Sequence, residues 1–357
     1  MLKILHVGPS LSLQGGIVTV IKNILKEDAL FLRNGYMLST FESTALRGTA
    51  GYFSFLNQIL QFLCTAYSKD IIHFHVASHG SFYRKFVFFL MSKLLLKKTI
   101  IHLHGGGFFD FFDKSGKPIK LLIKFLFKTC TSVIVVSDYS AQELKKRIKI
   151  NSTIQLIPNS SLEFEKLPAN IVTHEVNDTI LFCGTLTRYK GLDELLQAMK
   201  TVIENVPNVK LIVAGNGEIL PWLKRAQELG VSDSINFCGY VTGEKKVNLY
   251  NNSTIFCLPS HYESFGIAAL EAMHCGKAVV CTNAGGLPDL VNHQVNGLLS
   301  NPHDINKLSE NLITLLKNKS LRDSYGNIGN IKAKQNFSSK QSLKNLLATY
   351  KKSSPLK

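Results

Sequence analysis

No continuous apolar stretch of about 18 residues occurs in this 357-residue sequence, which argues against a membrane-spanning helix. Cysteine is sparse: the seven present form no close CxxC pair, and Cys64, Cys183, Cys238, Cys257 and Cys281 lie inside or beside apolar runs. They read as small buried hydrophobes in a reducing compartment. The eleven histidines are scattered without ligand spacing, so linear spacing gives a zinc site no support. A GxGxxG spacing is missing, which disfavours a nicotinamide cofactor. Residues 1–7 run directly into a glycine-rich turn without a small-residue cleavage site, which argues against a secretory signal. Acidic residues are also few, 25 against 41 Lys and Arg, giving a net charge of +16. The excess is mostly N-terminal, with 21 basic against 10 acidic residues in 1–167 and 20 against 15 thereafter. Such a balance suits nucleic acid, an anionic membrane surface or a phosphorylated substrate. With no zinc finger, aromatic-glycine RNA motif or arginine-dense tract, nucleic acid is the least favoured of the three.

What is present is a strand, loop and helix rhythm long enough for two domains of about 170 residues each. Residues 3–7 form a short apolar strand, and the loop after it carries Gly15 and Gly16 before a helix expected over 17–30. A strand, a glycine turn and a helix offer free backbone N–H groups to a phosphate, although plain turns look the same. Residues 70–76 and 99–104 are the next strands, and His104 stands at the end of the second, before Gly105-Gly-Gly107. Such a histidine is either an ordinary core or surface residue or a site residue. Strands over 131–136 and 153–157 complete the first half, and a polar linker is expected near 165–177. The rhythm restarts at 178–183. Gly184, Thr185, Arg188 and Lys190 lie in the loop after that strand, and Gly215, Asn216 and Gly217 in the loop after the strand over 209–214.

The most informative stretch is CLPSHYESFGIAALEAMHCGKAVVCTNAGGLPD, residues 257–289. An apolar strand over 253–258 ends at Pro259-Ser260, which places Glu263 in the loop beyond it, where open α/β sheets hold their ligands. A helix over 266–275 carries Glu271. Seven residues separate the two carboxylates, and spacing alone allows the plain reading of a solvated loop acid and a helix-surface acid.

In its frame of small and loop-forming residues, however, this segment resembles the E-x7-E signature of glycosyltransferase family 4, the retaining group-1 enzymes of GT-B architecture. The Gly285-Gly-Leu-Pro-Asp289 loop, Lys190-Gly191, Gly215-Asn-Gly217, Asn296-Gly297 and the paired Gly15-Gly16 match further elements of that family's pattern. The likeness covers nearly the whole chain and is most specific over 259–297. It departs at Thr185, where arginine is usual and Arg188 is a nearby substitute, and at Ser160, where glycine follows Pro-Asn.

The resemblance implies an α/β fold with two Rossmann-like β/α/β domains facing across a cleft. Residues 1–167 would be the acceptor-binding domain, 168–338 the nucleotide-sugar donor domain, and 339–357 a helix crossing back to the first domain with a tail. It further implies that Lys190 and Arg188 neutralise the donor diphosphate near Gly15 and Gly16, and that Glu263 contacts the donor sugar. Backbone around Ser264, Phe265, Gly266 and Ile267 would fix that sugar, with Gly184, Thr185, Gly215, Asn216 and Gly217 in the donor loops. Glu271 would hold the nucleotide ribose, and His104 would orient the sugar at the reaction centre. No metal is implied, since nothing resembles a DxD motif, and no cofactor beyond a UDP- or GDP-linked sugar co-substrate.

The acceptor implied is a sugar or lipid-linked glycan in capsule, O-antigen or related surface-glycan assembly in bacteria. Residues 81–96 and 108–130 interleave aromatic and aliphatic side chains with lysine, either as ordinary packing with solvated lysines or as a face resting on anionic lipid. The corresponding location is cytoplasmic, with peripheral attachment to the inner face of the membrane as one form of it. Two competitors stand beside the transferase reading. A glycoside hydrolase would use the two carboxylates but leave Lys190 and the glycine loops without a task. A catalytically weakened binding or scaffold subunit gains ground from Thr185.

Overall fold

The computed structural model describes residues 1–43, 48–150, 152–166 and 178–354, without the side chains of residues 48–53. The linker expected at 165–177 falls outside the described residues from 167 onward. The chain divides into two compact units, one made of Met1–Asn159 with Lys340–Lys357 and the other of Ser160–Ser339.

In the first unit, β1 (Leu2–Gly8), β2 (Tyr36–Glu42), β3 (Ile71–Val76), β4 (Lys98–Leu103), β5 (Ser132–Val135) and β6 (Thr153–Leu156) form one sheet. Its order is β2-β1-β3-β4-β5-β6, and every described pairing is parallel. Parallel strands joined through helices are covered on both faces, which is why β3 is buried at all its positions. β2, half-exposed at one margin, lacks that continuous apolar signal and was not marked by the sequence pattern. The helix expected over 17–30 is in fact two, Gly16–Lys26 and Asp28–Arg33, because the backbone leaves helical geometry at Glu27; the second segment turns Phe31 into the core. The helix Ser339–Ser353 belongs largely to this unit. Its Tyr350 is fully buried, with the hydroxyl 2.8 Å from His73 Nδ1 and 3.2 Å from His6 Nε2.

In the second unit, β7 (Thr179–Cys183), β8 (Lys210–Ala214), β9 (Ile235–Gly239), β10 (Ile255–Leu258), β11 (Ala278–Thr282) and β12 (Gly297–Ser300) form a parallel sheet ordered β12-β11-β10-β7-β8-β9. The order reverses between β7 and β10. At such a point the loops leave the two neighbouring strands in opposite directions and open a crevice at their carboxyl ends. Both units are therefore Rossmann-like α/β layers, the GT-B architecture.

One expectation needs correction. Cys183, Cys257 and Cys281 are buried, but Cys64 is exposed and Cys238 only half-buried. Of the aromatic stretch over 108–130, Phe108, Phe109, Phe111, Phe112 and Phe127 are buried, so ordinary packing accounts for them. Leu121, Leu122 and Phe125 remain exposed on the helix Lys117–Thr129. No helix among the described residues is long and apolar enough to cross a membrane.

Candidate functional site

At the switch point of the second unit, the loop after β7 carries Lys190 and the loop after β10 carries Glu263. Their side chains meet, Nζ to Oε2, at 2.5 Å, with about a quarter and a seventh of each side chain exposed. Backbone close approach holds both loops in place. Gly191 follows Lys190 at φ +71, and a Cβ there would stand 1.9 Å from Pro259 O, so only glycine lets the two loops touch. His261 N–H donates to Tyr189 O at 2.9 Å and adds a second tie. On the other side, Gly285 at φ +58 would place a Cβ 1.9 Å from Glu263 O, and Gly286 N–H donates to that same carbonyl at 2.8 Å. The Glu263 backbone is thus fixed from the loop after β11.

The loops after β7 and β8 also lie together: Gly184 N–H donates to Ala214 O at 3.0 Å and Leu186 N–H to Asn216 O at 2.8 Å. Gly215 is buried there, while Thr185, Arg188, Asn216 and Gly217 are exposed. Ser264 is half-buried, Phe265 buried, and Gly266 precedes the helix Ile267–His274, whose N-terminus has no side-chain cap. A glycine cap supplies no side-chain acceptor of its own to the first-turn N–H groups.

Glu271 is not the helix-surface acid that spacing alone allows. It is 3% exposed, accepting from Lys246 Nζ at 2.6 Å and from Tyr250 OH at 2.8 Å. Burial presses the Lys246 ammonium downward, but the Glu271 carboxylate outweighs it and leaves the pKa raised. Burial and that same negative neighbourhood push the Tyr250 phenol well above its ordinary value. Lys246 and Tyr250, four apart on the helix Gly243–Asn251, were missed by sequence reasoning; their shared helical face was the available signal.

In the first unit, Gly15 and Gly16 are exposed and open the helix Gly16–Lys26, again without a side-chain cap. His104 stands just beyond β4 as one of five buried histidines. Alternate positions on β1, β3 and the β4 segment place them on one face, because side chains repeat every second residue along a strand. His6 Nδ1 lies 3.0 Å from His75 Nε2, His75 Nδ1 lies 2.9 Å from His104 Nε2, and His73 Nε2 lies 3.3 Å from His102 Nδ1. Burial holds His6 and His104 down to about 3, with the Lys85 ammonium adding to the effect at His104. It also keeps His73, His75 and His102 well below the ordinary histidine value. His104 is therefore a neutral hydrogen-bonding group at neutral pH. Lys85, which its sequence places beside the apolar stripe of Phe82, Phe86 and Phe89, is 2% exposed and lowered to about 7 by burial, with Nζ 2.8 Å from Ser81 Oγ.

The sequence profile of the glycosyl transferases group 1 family matches residues 163–352, just over half of the chain and almost all of the unit that holds the Lys190–Glu263 pair. The chain belongs to that family. Among curated relatives of this group-1 glycosyltransferase, an uncharacterized glycosyltransferase of Methanocaldococcus jannaschii is 37% identical over 145 residues, covering 40% of this chain and 37% of the relative. One of Haemophilus influenzae is 30% identical over 217 residues, covering 60% of each. The chain thus spans less than two thirds of the length of these relatives. Among solved structures, Anabaena HepE in complex with UDP-glucose superposes with a TM-score of 0.78 at 20% identity, covering 98% of this chain and 100% of that one. At that identity the likeness establishes the GT-B fold of the group-1 glycosyltransferase and nothing finer.

Proposed function

We propose that the chain is a retaining hexosyltransferase, moving a hexose-type sugar from a UDP- or GDP-linked donor to an acceptor hydroxyl without a metal. The Lys190–Glu263 pair at the switch point carries this reading, since it sets a cation and a carboxylate where open α/β sheets bind their ligands. The bond from the anomeric carbon to the diphosphate oxygen breaks, and the bond from that carbon to the acceptor oxygen forms on the same face. The acceptor proton passes to the departing phosphate. Charge accumulates on the diphosphate, so fixed positive groups there lower the barrier. Lys190 supplies one charge, Arg188 the second, and the uncapped N-terminus at Gly15 and Gly16 supplies N–H donors. Glu263 and the backbone from Ser264 to Ile267 hold the donor sugar, with Gly184, Thr185, Gly215, Asn216 and Gly217 around the nucleotide. Glu271, its carboxylate already oriented by Lys246 and Tyr250, accepts from the ribose hydroxyls through its remaining lone pairs. His104 orients the sugar as a neutral hydrogen-bonding group, not as a general base.

In this assignment the first unit receives the acceptor and the second the donor, in bacterial surface-polysaccharide or glycolipid assembly. The complex of Anabaena HepE with UDP-glucose supports a uridine donor among the alternatives. The enzyme acts in the cytoplasm. The helix Lys117–Thr129, with Leu121, Leu122 and Phe125 exposed beside Lys117, Lys124 and Lys128, rests on the anionic inner face of the membrane. A competition screen of UDP- and GDP-sugars, followed by NMR of the product linkage, tests the reaction. Donor consumption with an axial or equatorial linkage matching the donor supports it. Inversion overturns the mechanism, while normal nucleotide binding without transfer over a broad panel favours the binding-subunit alternative. Co-sedimentation with phosphatidylglycerol vesicles tests the surface; a protein that stays in the supernatant at low salt overturns it.

A further inference from the structure

We propose that Glu194, His261 and His303 form a binding site for a divalent transition-metal ion of the zinc class, bracing the two loops that carry Lys190 and Glu263. Glu194 Oε1 lies 2.7 Å from His261 Nε2 and 2.8 Å from His303 Nδ1. The three ligand atoms all lie within 4.8 Å of one another. They come from three separate segments, 67 and 109 residues from Glu194, so no linear spacing announces them. Two imidazole nitrogens and a carboxylate oxygen are a donor set that suits zinc, cobalt or nickel, and one carboxylate offsets part of the ion's charge.

Two further observations point to an ion rather than to hydrogen bonding alone. Glu194 Oε2 is buried without a hydrogen-bond partner, a cost that a coordinated cation would remove. His303 is held at φ +66, a left-handed conformation that side chains other than glycine adopt at a price in energy and that here directs the ring onto Glu194. A tetrahedral ion about 2.0–2.2 Å from each ligand keeps ligand atoms roughly 3.4 Å apart, so the cluster opens by about 0.6 Å on loading. The His303 side chain is 65% exposed and can make that movement, and the same exposure gives entry to the ion and a place for a water as fourth ligand.

The site's position gives the ion a role distinct from the chemistry proposed above. Glu194 lies in the first turn of the helix that follows Gly191, His261 is two residues before Glu263, and His261 N–H already bonds Tyr189 O. An ion here ties the base of one loop to the base of the other without touching Lys190 or Glu263.

Metal-stripped protein titrated with Zn2+ by calorimetry, and with Co2+ by visible absorption, tests the site. The expected result is one ion per chain at micromolar affinity, an intense Co2+ band of tetrahedral type, and a loss of affinity of tenfold or more in His303→Asn. Asparagine tolerates the left-handed backbone, so this exposed change removes the imidazole and spares the fold. Glu194→Gln should weaken binding similarly. Ion binding of unchanged affinity in both variants would place it elsewhere, including at the histidines of the first unit, and overturn the proposal; so would absence of binding by the parent protein at millimolar Zn2+. Either readout is independent of transferase activity.

Discussion

Lys190 Nζ and Glu263 Oε2 stand 2.5 Å apart although they are 73 positions apart in the chain. A carboxylate so placed keeps the ammonium over the loop until a stronger anion arrives, and the proposed diphosphate is such an anion. Lys190→Ala is therefore expected to lower kcat by about 10²–10³-fold, the usual loss when one donor to a developing negative charge is removed. Lys190→Arg should recover little, because a planar guanidinium does not replace a compact point charge. Steady-state kinetics with the identified donor decide this; an unchanged kcat in Lys190→Ala removes the lysine from the chemistry.

The two glycines that let loops touch should be the least replaceable small residues of the unit. In Gly191→Ala the new Cβ would meet Pro259 O, and in Gly285→Ala it would meet Glu263 O, each at 1.9 Å. Backbone cannot yield as a flexible side chain does, and both positions have positive φ. Each variant is expected to lose about 1–3 kcal/mol of stability and to raise the donor KM more than it alters the acceptor KM. Urea unfolding and separate titrations of the two substrates measure this.

The five buried histidines and Lys85 set the pH dependence of the first unit. His6 and His104 have folded values of about 3, below the ordinary 6.5, so the unfolded chain binds more protons between these limits. The contribution of these histidines is complete above about pH 6.5 and falls as the solution is acidified, by about 1.4 kcal/mol per pH unit for each histidine that stays neutral. Lys85, lowered to about 7 from 10.5, extends the same sign upward: stability rises between these two values. Denaturant midpoints at pH 5, 7 and 9 should climb in that order, and Lys85→Met should flatten the alkaline part of the rise.

Local signals carried most of the architecture. The apolar runs of β3, β7, β10 and β11 read directly as buried parallel strands, and the loops holding Lys190 and Glu263 followed from the Gly184 after β7 and the Pro259 after β10. What stayed hidden depends on contacts across the sheet or between distant segments. The histidines form a connected face only when β1, β3 and β4 lie side by side, with His6 opposite His73 and His75 opposite His102. Lys85 looks like any lysine on an amphipathic helix until Ser81 and the surrounding core are in place. Glu271 looks solvent-facing until the helix Gly243–Asn251 brings Lys246 and Tyr250 to it. Residue type and period reveal which face of an element is apolar, but not which polar group waits on the facing element.

Glu271 and Lys246 should show strong coupling. Glu271→Ala leaves a mostly buried ammonium without its carboxylate and Tyr250 OH with only the longer bond to Ala268 O at 3.2 Å, at a cost of about 2–4 kcal/mol. Lys246→Met alone leaves the carboxylate with Tyr250 and should cost less than the acid's removal. The double variant Glu271→Ala/Lys246→Met should be more stable than the sum of the two predicts, by at least about 1 kcal/mol. Additive losses in denaturant unfolding would mean that the pair contributes nothing beyond its separate side chains.

Thr185 is the point at which active transferase and weakened binding subunit make opposite predictions. Family resemblance places an arginine there, and this chain instead has Arg188 three residues on, exposed in the turn Arg188–Lys190. A long exposed side chain in that turn can swing to a diphosphate held by Lys190, and its charge needs no fixed partner until the anion is bound. If Arg188 supplies the second charge, Arg188→Ala should lower kcat by about tenfold to a hundredfold, as expected for loss of one charge-assisted contact, and Thr185→Arg in that background should restore much of it. If the chain has given up catalysis, neither change moves a rate, and Thr185→Arg alone does not create one. Measuring turnover in the parent, both single variants and the double variant separates the two cases, because rescue requires that the charge, not the loop's shape, was what had been lost.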